Sequence, residues 1–270
     1  RVIAASFDGT GYGDDHSIWG GEIFAGSVRS GFERVAHLRS AVLPGGDAAS
    51  SYPVQAAAGF LEQLHDLPDV TVKTFSFGIS YHDAQRLVRK NMRTFPTTSM
   101  GRLFDTAAAL AGFTRETTFE GQAAMWLEQL ARKSAETEGY PFPYSGGELD
   151  FRPLLRGVVE DRVRERDLHE IARAFHRGIA LGVCGAAKQL CSTYDTDTIV
   201  LSGGVFQNEM LLSDLKNLLE RDSLVIWTNH SVPANDGGIS LGQATLAAFD
   251  TPEVFGFLGE EDAKCAERAA

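Results

Sequence analysis

Residues 2–13 read Val-Ile-Ala-Ala-Ser-Phe-Asp-Gly-Thr-Gly-Tyr-Gly, and this stretch decides which fold the rest of the chain can build. The apolar run Val2 to Phe7 predicts a short buried strand that ends at Asp8. The glycines that follow indicate a loop whose backbone comes close to a ligand. The segment therefore predicts a strand, then a glycine-rich turn, with Asp8 at the junction.

Two further loops have the same design. The strand predicted at 198–201 runs into Ser202-Gly203-Gly204, and Asn235-Asp236-Gly237-Gly238 opens the last helix. In each loop we expect free backbone N–H groups to face an anion. Two such loops on opposing lobes can hold a nucleotide, whereas any one of them alone is also compatible with a simple tight turn.

Asp8 and Asp236 each stand directly before a glycine of these loops. Two carboxylates facing a phosphate would repel it unless a cation lay between them. We therefore expect a divalent metal (Fe, Zn or Mg) with both aspartates as ligands. The alternative for Asp236 is a helix or turn cap.

Arg102 falls in the first turn of a predicted helix that Thr98 or Ser99 would cap. A cation at this end opposes the helix dipole, which is explained if Arg102 and the helix end bind an anion together. The alternative is a salt bridge to Asp105 or Glu120.

Composition excludes several classes of protein. The 270 residues carry a formal charge of -11, which argues against binding nucleic acid by bulk charge, and no apolar run suits a membrane span. No signal peptide is visible, and the odd number of cysteines predicts free thiols in a reducing cytoplasm. The second half alternates strand, loop and helix, which favours an α/β fold, and the middle is mostly helical. Helices are predicted at 47–65, 80–92, 101–112, 121–138, 167–191, 208–221 and 237–249.

Several motifs follow one another along the chain and together cover residues 1 to about 249. They are Phe7 to Gly13, Trp19-Gly20-Gly21-Glu22, Phe32 to Leu38, Leu43 to Asp47, Thr98 to Asp105, Phe119 to Ala124, Phe175-His176, Leu201 to Asn208, and Pro233 to Gln243. In this order they resemble the carboxy-terminal region of the HypF family of hydrogenase-maturation carbamoyltransferases.

The resemblance implies the bilobal fold of actin, sugar kinases and Hsp70 (ASKHA), with the first lobe truncated at its start. The expected domains are the remainder of the first lobe at 1–93, a helical section at 94–165, the second lobe at 166–250, and a polar tail at 251–270. The histidine-rich metal segment of the family is absent from this sequence. None of its seven histidines is an obvious substitute, and His176 is expected to be structural.

The activity implied is transfer of a carbamoyl group from carbamoyl-adenylate, made with ATP by an upstream YrdC-like domain, to the C-terminal cysteine of HypE. The product becomes a cyanide ligand of [NiFe]-hydrogenase. Other possibilities are a small-molecule kinase or ATPase, an O-carbamoyltransferase, and a module that only docks HypE. No nucleic acid or membrane is expected as a partner.

The loop arguments and the resemblance together give the expected site residues. Asp8, Arg102 and Asp236 are the expected catalytic residues, and Glu33 and Gly46 have the thirteen-residue spacing of two adenylate contacts in the related tRNA branch. Glu33 could instead form a surface salt bridge. The expected cofactor-binding residues are Gly9, Thr10, Gly11, Glu33, Gly46, Gly203, Gly204 and Asn208.

Overall fold

The computed structural model describes residues 1–46, 48–70 and 74–250. Within these ranges nine strands form a single sheet with the order β6-β7-β3-β2-β1-β8-β9, while β4 and β5 pair with each other and β5 also pairs with β2. The strands are β1 (Val2–Tyr12), β2 (Ile18–Ser27), β3 (Gly31–Leu38), β4 (Ala41–Pro44), β5 (Thr94–Thr97), β6 (Tyr144–Ser145), β7 (Glu148–Leu149), β8 (Thr198–Ser202) and β9 (Val225–Thr228).

The first strand is central because it pairs on both sides. It is antiparallel to β2 and parallel to β8, and its alternate residues Ile3, Ala5 and Phe7 are buried, as expected for a strand covered by helices. Because β1 and β8 are parallel and adjacent, Asp8 and the Gly203–Gly204 turn emerge at the same edge of the sheet.

The first glycine loop differs from the prediction. The strand does not end at Asp8, because Gly11 pairs with Trp19 and Tyr12 with Ile18 after a register shift. Residues 8–10 are therefore an irregularity within β1, and the turn comes only after Tyr12. This bulge redirects the chain beside α4 without ending the strand.

The segments predicted as the first and second lobes, 1–93 and 166–250, contribute strands to the same sheet. Four successive pairs, from Ile3 with Ile199 to Ser6 with Ser202, join the first predicted lobe directly to the second in one sheet. The glycine loops therefore lie side by side at one edge and do not oppose each other. The domain boundaries at residues 93, 165 and 250 stay predictions, and the tail at 251–270 lies outside the described residues.

The helices follow the predicted periodicity with three differences. The helix expected at 47–65 is two helices, because Pro53 begins a new one. The helix expected at 121–138 ends at Ala131, and α6, whose buried residues have helical spacing, was not predicted. The helices are α1 (Ala48–Ser51), α2 (Pro53–Leu61), α3 (Ile79–Arg89), α4 (Met100–Ala111), α5 (Gln122–Ala131), α6 (Phe151–Val163), α7 (Leu168–Tyr194), α8 (Glu209–Arg221) and α9 (Ile239–Asp250).

The helices α4 and α7 form the core behind the central strands. Nearly every residue of α4 is buried, and the predicted apolar stripe of α7, including Phe175 and Ile179, is buried as well. In the part of the chain that is described, no helix is both long and apolar enough to cross a membrane.

Candidate active site

A cavity of about 550 Å³ opens at the sheet edge where β1 and β8 end. Its walls come from the β1 bulge, the starts of α4 and α5, the turn after β8, and residues 235–237. Of the predicted site residues, the cavity is lined by Asp8, Gly9, Arg102, Gly204, Asn208 and Asp236. A larger but shallower depression near Arg1 and Lys188 contains none of the predicted site residues.

Asp8 links the ends of the two central strands. Its Oδ1 accepts a hydrogen bond from the Gly9 N–H at 2.8 Å, and its Oδ2 accepts one from the Gly204 N–H at 3.3 Å. The carboxylate therefore stays in the cavity wall, with acceptor capacity remaining on both oxygens.

The predicted free amides of the glycine loops are already used. Besides Gly9 and Gly204, the Gly203 N–H donates to the Ala234 carbonyl at 2.9 Å, and the Gly237 N–H donates to Asn235 Oδ1 at 3.1 Å. The expectation of bare N–H groups for an anion is wrong at these positions, since each amide donates to a nearby acceptor within the chain. These four N–H groups are therefore not available to a bound anion.

Asp236 lies in a short 3-10 turn that faces the Gly204 bend. Asn235, and not Asp236, is the residue whose side chain caps this turn. A Cβ placed on Gly204 would lie 3.1 Å from Asp8 Oδ1 and 3.8 Å from Asn235 Cβ. The tertiary structure thus brings Asp8 and Asp236 to one cavity and leaves the Asp236 carboxylate outside the capping interaction.

Arg102 enters the cavity from the first turn of α4. Ser99 caps this helix, since its hydroxyl accepts from the Arg102 N–H at 3.1 Å and donates to the Gly9 carbonyl at 2.6 Å. The Arg102 side chain is only 7% exposed, and its Nη1 lies 2.8 Å from Asp105 Oδ2. The predicted alternative of an ion pair with Asp105 is therefore observed.

The pair of Arg102 and Asp105 nevertheless keeps unused hydrogen-bonding capacity. The geometry between them is not that of a hydrogen bond, and among the described residues Nε and Nη1 of Arg102 and Oδ2 of Asp105 have no hydrogen-bond partner. Both residues line the cavity. Buried polar atoms of this kind usually have a partner, and a ligand can supply one.

The acidity of Asp105 provides a test of this arrangement. Burial raises its pKa to about 6, although the Arg102 guanidinium pulls the pKa down. Since the native pKa lies above the unfolded value, this group stabilises the fold below about pH 4, and its contribution is lost as the pH rises through about 6. We expect the wild type to gain stability over D105N as the pH falls from about 6.5 to about 4, measured by urea unfolding. If the free energy of unfolding of the wild type instead falls relative to that of D105N on acidification, the direction of the pKa shift is wrong.

Asn208 lines the cavity and is the N-cap residue of α8. Its Oδ1 accepts from the Leu211 N–H at 3.0 Å, and its Nδ2 lies 3.0 Å from His176 Nε2. His176 is fully buried, and its Nδ1 lies 2.8 Å from the Ala172 carbonyl. Burial lowers the pKa of His176 to about 4, so the ring is neutral at physiological pH. This agrees with the structural role expected for this histidine.

Five predicted ligand contacts do not line the cavity: Thr10, Gly11, Glu33, Gly46 and Gly203. Glu33 is exposed on β3 opposite Ala25, and Gly46 lies in the turn after β4 with a left-handed φ of 61°. The thirteen-residue spacing does not bring Glu33 and Gly46 to the cavity, because β4 lies between them and the chain there runs away from the cavity.

Of the other three, Gly11 and Gly203 have roles in the backbone. Gly11 forms a ladder pair with Trp19, and Thr10 is exposed. Gly203 has a φ of 105°, and a Cβ there would lie 2.2 Å from the Phe7 carbonyl oxygen. Gly203 is thus required for close packing of the turn against β1.

Sequence reasoning assigned no ligand role to several residues that line the cavity. Among them are Asp105, Glu120, Gly121, Met125 and Glu128. The first three lie within motifs that were singled out, so the signal was present at 98–105 and 119–124. What the pattern does not show is that the starts of α4 and α5 face the same opening.

Glu22, in the Trp19–Glu22 motif, supports the site from behind. It is 2% exposed and accepts hydrogen bonds from the Gly20 and Gly21 N–H groups at 2.5 and 2.7 Å and from the Thr98 hydroxyl. Its other contact is an ion pair with Arg34 at 3.1 Å. Glu22 therefore anchors the segment that leads into the Ser99 cap of α4.

The cysteines of the described residues do not contribute a nucleophile to this cavity. Cys184 and Cys191 are buried on α7, and burial raises the pKa of both thiols, that of Cys184 to about 11. Their interpretation as core residues fits this environment, since a reactive thiolate needs a depressed pKa. Cys265 lies outside the described residues.

The fold and cavity define an α/β protein with a candidate ligand site at the ends of neighbouring strands. Residues 4–243 match the family described as "Carbamoyltransferase, Kae1-like Domain, second subdomain". The chain belongs to this carbamoyltransferase family, which confirms the resemblance to HypF seen in the sequence.

The chain is also similar to curated proteins that are named carbamoyltransferase HypF. Carbamoyltransferase HypF of Rhodobacter capsulatus is 36% identical over 253 residues, covering 92% of this chain and 32% of the relative. The carbamoyltransferase HypF homolog of Cupriavidus necator is 30% identical, covering 98% of this chain and 70% of that protein. This chain thus spans about a third of the Rhodobacter protein.

Solved structures agree. The crystal structure of full-length HypF in the phosphate- and nucleotide-bound form has a TM-score of 0.81 and 34% identity, covering 91% of this chain and 39% of that one. The structure of T. kodakarensis HypF has a TM-score of 0.83 and 26% identity, covering 92% of this chain and 34% of that one.

Proposed function

We propose that the cavity holds carbamoyl-adenylate and that the chain transfers its carbamoyl group to the C-terminal cysteine thiol of a HypE-like acceptor protein. The thiocarbamate formed would be the precursor of a cyanide ligand of [NiFe]-hydrogenase. The observation that carries this proposal is the convergence of Asp8, Arg102 and Asp236 on one cavity in a chain of the carbamoyltransferase family.

The proposal includes the wider setting. An upstream YrdC-like domain would make the adenylate from carbamoyl phosphate and ATP, in the cytoplasm. An ASKHA-type layer is supported by the strand order β3-β2-β1-β8-β9. In it the pairs β3–β2 and β2–β1 are antiparallel, and the pairs β1–β8 and β8–β9 are parallel. Since this chain corresponds to a third of the Rhodobacter relative, the remaining parts of such a protein would supply the upstream reaction.

The size and lining of the cavity suit an adenylate. Its volume of about 550 Å³ lies within the roughly 300–1,000 Å³ common for small-molecule sites. Phe104, Ala124 and Met125 provide an apolar side, where a base can pack, while Arg102 and Asn208 provide donors. The full-length HypF structure, by its description, binds phosphate and a nucleotide, which supports the same ligand class here.

The donor set fits a cation that is shared with a phosphate. Mg²⁺ is commonly held by one or two carboxylates together with substrate phosphates, and Asp8 and Asp236 would hold it here. A Zn²⁺ or Fe site held by the protein alone needs more ligands, and no group of three or more His, Cys, Asp or Glu suited to a metal occurs among the described residues. When bound, the cation would neutralise phosphate charge and make AMP a better leaving group.

The chemistry is acyl transfer from a mixed anhydride. The acceptor thiolate attacks the carbamoyl carbon, the C–S bond forms, and the C–O bond to phosphate breaks to release AMP. Arg102, held in the wall by α4 and by its contact with Asp105, faces the charge that develops on the leaving phosphate. Positioning supplies further rate, because the carbamoyl carbon and the thiolate need only be brought into line.

A transfer assay with the purified chain tests the proposal. We expect carbamoyl-adenylate and a HypE-like acceptor to give an acceptor heavier by one carbamoyl group, detected by mass spectrometry. An acceptor whose terminal cysteine is changed to alanine is the matched control. Formation of ADP from ATP and a sugar would instead indicate a kinase, and acceptor binding without transfer would indicate a docking module.

A further inference from the structure

His176 is hydrogen-bonded to the candidate site through Asn208. It is completely buried on α7, next to Phe104 at 5.4 Å and Phe175 at 5.9 Å between ring centroids. It does not line the cavity, whereas Asn208 does. A fully buried polar ring needs partners for both nitrogens.

The hydrogen bonds determine how the His176 ring is protonated. Among the described residues, the group that faces Nδ1 is the Ala172 carbonyl, which is an acceptor, so Nδ1 carries the proton and donates at 2.8 Å. In the neutral ring Nε2 is then an acceptor. It must receive its hydrogen bond from Asn208 at 3.0 Å.

The same logic fixes the Asn208 carboxamide. Its oxygen is held by the Leu211 N–H at the start of α8, so its nitrogen faces His176. The carboxamide nitrogen has two N–H donors, and His176 accepts only one of them. The second N–H remains on a residue that lines the cavity.

We propose that His176 is a positioning residue that locks the Asn208 carboxamide so that its second N–H is presented to an acceptor atom of the nucleotide. The inference rests on the proposed function, because the ligand it assumes is an adenylate. Without His176, only the bond from the Leu211 N–H to Oδ1 restrains the carboxamide about its terminal torsion, and the donor is less preorganised.

Binding of AMP to the full 270-residue chain, measured by calorimetry, tests the proposal. His176→Phe keeps an aromatic ring among Phe104 and Phe175 but removes the acceptor. We expect it to weaken AMP binding about tenfold, which corresponds to about 1.4 kcal/mol. His176→Gln restores an acceptor oxygen and is expected to bind within about twofold of the wild type. The packing control is Ile179→Val, which is buried on the same helix and should bind normally.

A double-mutant cycle shows whether His176 acts through Asn208. Asn208→Ser keeps a side-chain oxygen to cap α8 but removes the carboxamide. In this background H176F should change AMP affinity by less than about twofold. If H176F weakens binding as much in the N208S background as in the wild type, or has no effect in the wild-type background, His176 does not position Asn208.

Nitrogen-15 NMR of the ligand-free chain separates this inference from the proposed function. We expect the Nδ1–H tautomer of His176, and we expect the Asn208 carboxamide signals to shift in H176F but much less in H176Q. A wild type that binds no AMP would overturn the proposed ligand, and the NMR signals would still report whether His176 holds Asn208. Finding the opposite tautomer would overturn the positioning role itself.

Discussion

Changing Asp8 to asparagine is expected to lower kcat/KM for carbamoyl transfer by about 100-fold or more, the size of effect seen when a preorganised charge-stabilising group is removed. The substitution removes the negative charge with which Asp8 would bind the cation. Asp8 now accepts hydrogen bonds from the Gly9 and Gly204 N–H groups, and the substitution places an NH₂ group opposite one of these two donors. Steady-state kinetics of the transfer assay measures the loss.

The matched control for this prediction is Asp14→Asn. Asp14 is exposed in the hairpin after β1 and does not line the cavity, so the same chemical change there should leave the rate unaltered. Thermal unfolding of D8N shows whether the fold is retained. A folded D8N protein with a kcat/KM within a few fold of the wild type would remove Asp8 from the catalytic machinery.

Changing Gly59 to alanine is expected to destabilise the chain by about 3 kcal/mol, at the upper end of the usual cost of overpacking a core. Gly59 is buried on α2, and a Cβ there would lie 1.6 Å from the Val42 carbonyl oxygen and 3.3 Å from Pro44 Cδ. A strand carbonyl cannot rotate away as a side chain can, so α2 and β4 must separate. Urea unfolding measures the loss.

Gly185→Ala is the matched control, because a Cβ at Gly185 would meet nothing within 4 Å. Gly185 lies on an exposed part of α7, so alanine should stabilise the protein by about 0.5–1 kcal/mol through helix propensity alone. If both variants change the free energy of unfolding equally, the close approach of α2 to β4 is not what requires glycine at position 59.

The helices were the most predictable part of the fold. The apolar stripe of α7 and the strand, turn and helix from Thr198 to Arg221 have periodicities that depend only on neighbouring residues. The strands β3, β4 and β5 were not predicted. β4 and β5 owe their existence to pairing partners far along the chain, such as Thr97 with Ala41, and no local pattern encodes such pairing. β3 instead pairs with the neighbouring β2 through a short hairpin, closed by Ser27 and Gly31.

The candidate site divides in the same way. Asp8, Arg102 and Asp236 were identified because each stands at a loop or helix start where its charge needed an explanation. Glu33 and Gly46 were selected by spacing alone, and neither reaches the cavity. Spacing along a chain constrains position only within one element, and a strand and a turn separate these two residues.

The sequence by itself determined the family, most of the helices and the identity of the three charged residues, because motifs and periodicity are local properties. The tertiary structure alone decided that β1 and β8 are neighbours and that Asp8 uses the amides expected to be free. It also decided that His176 meets Asn208. Each of these contacts joins residues that are distant along the chain or competes with an internal hydrogen bond, so only the packed chain selects among the possible partners.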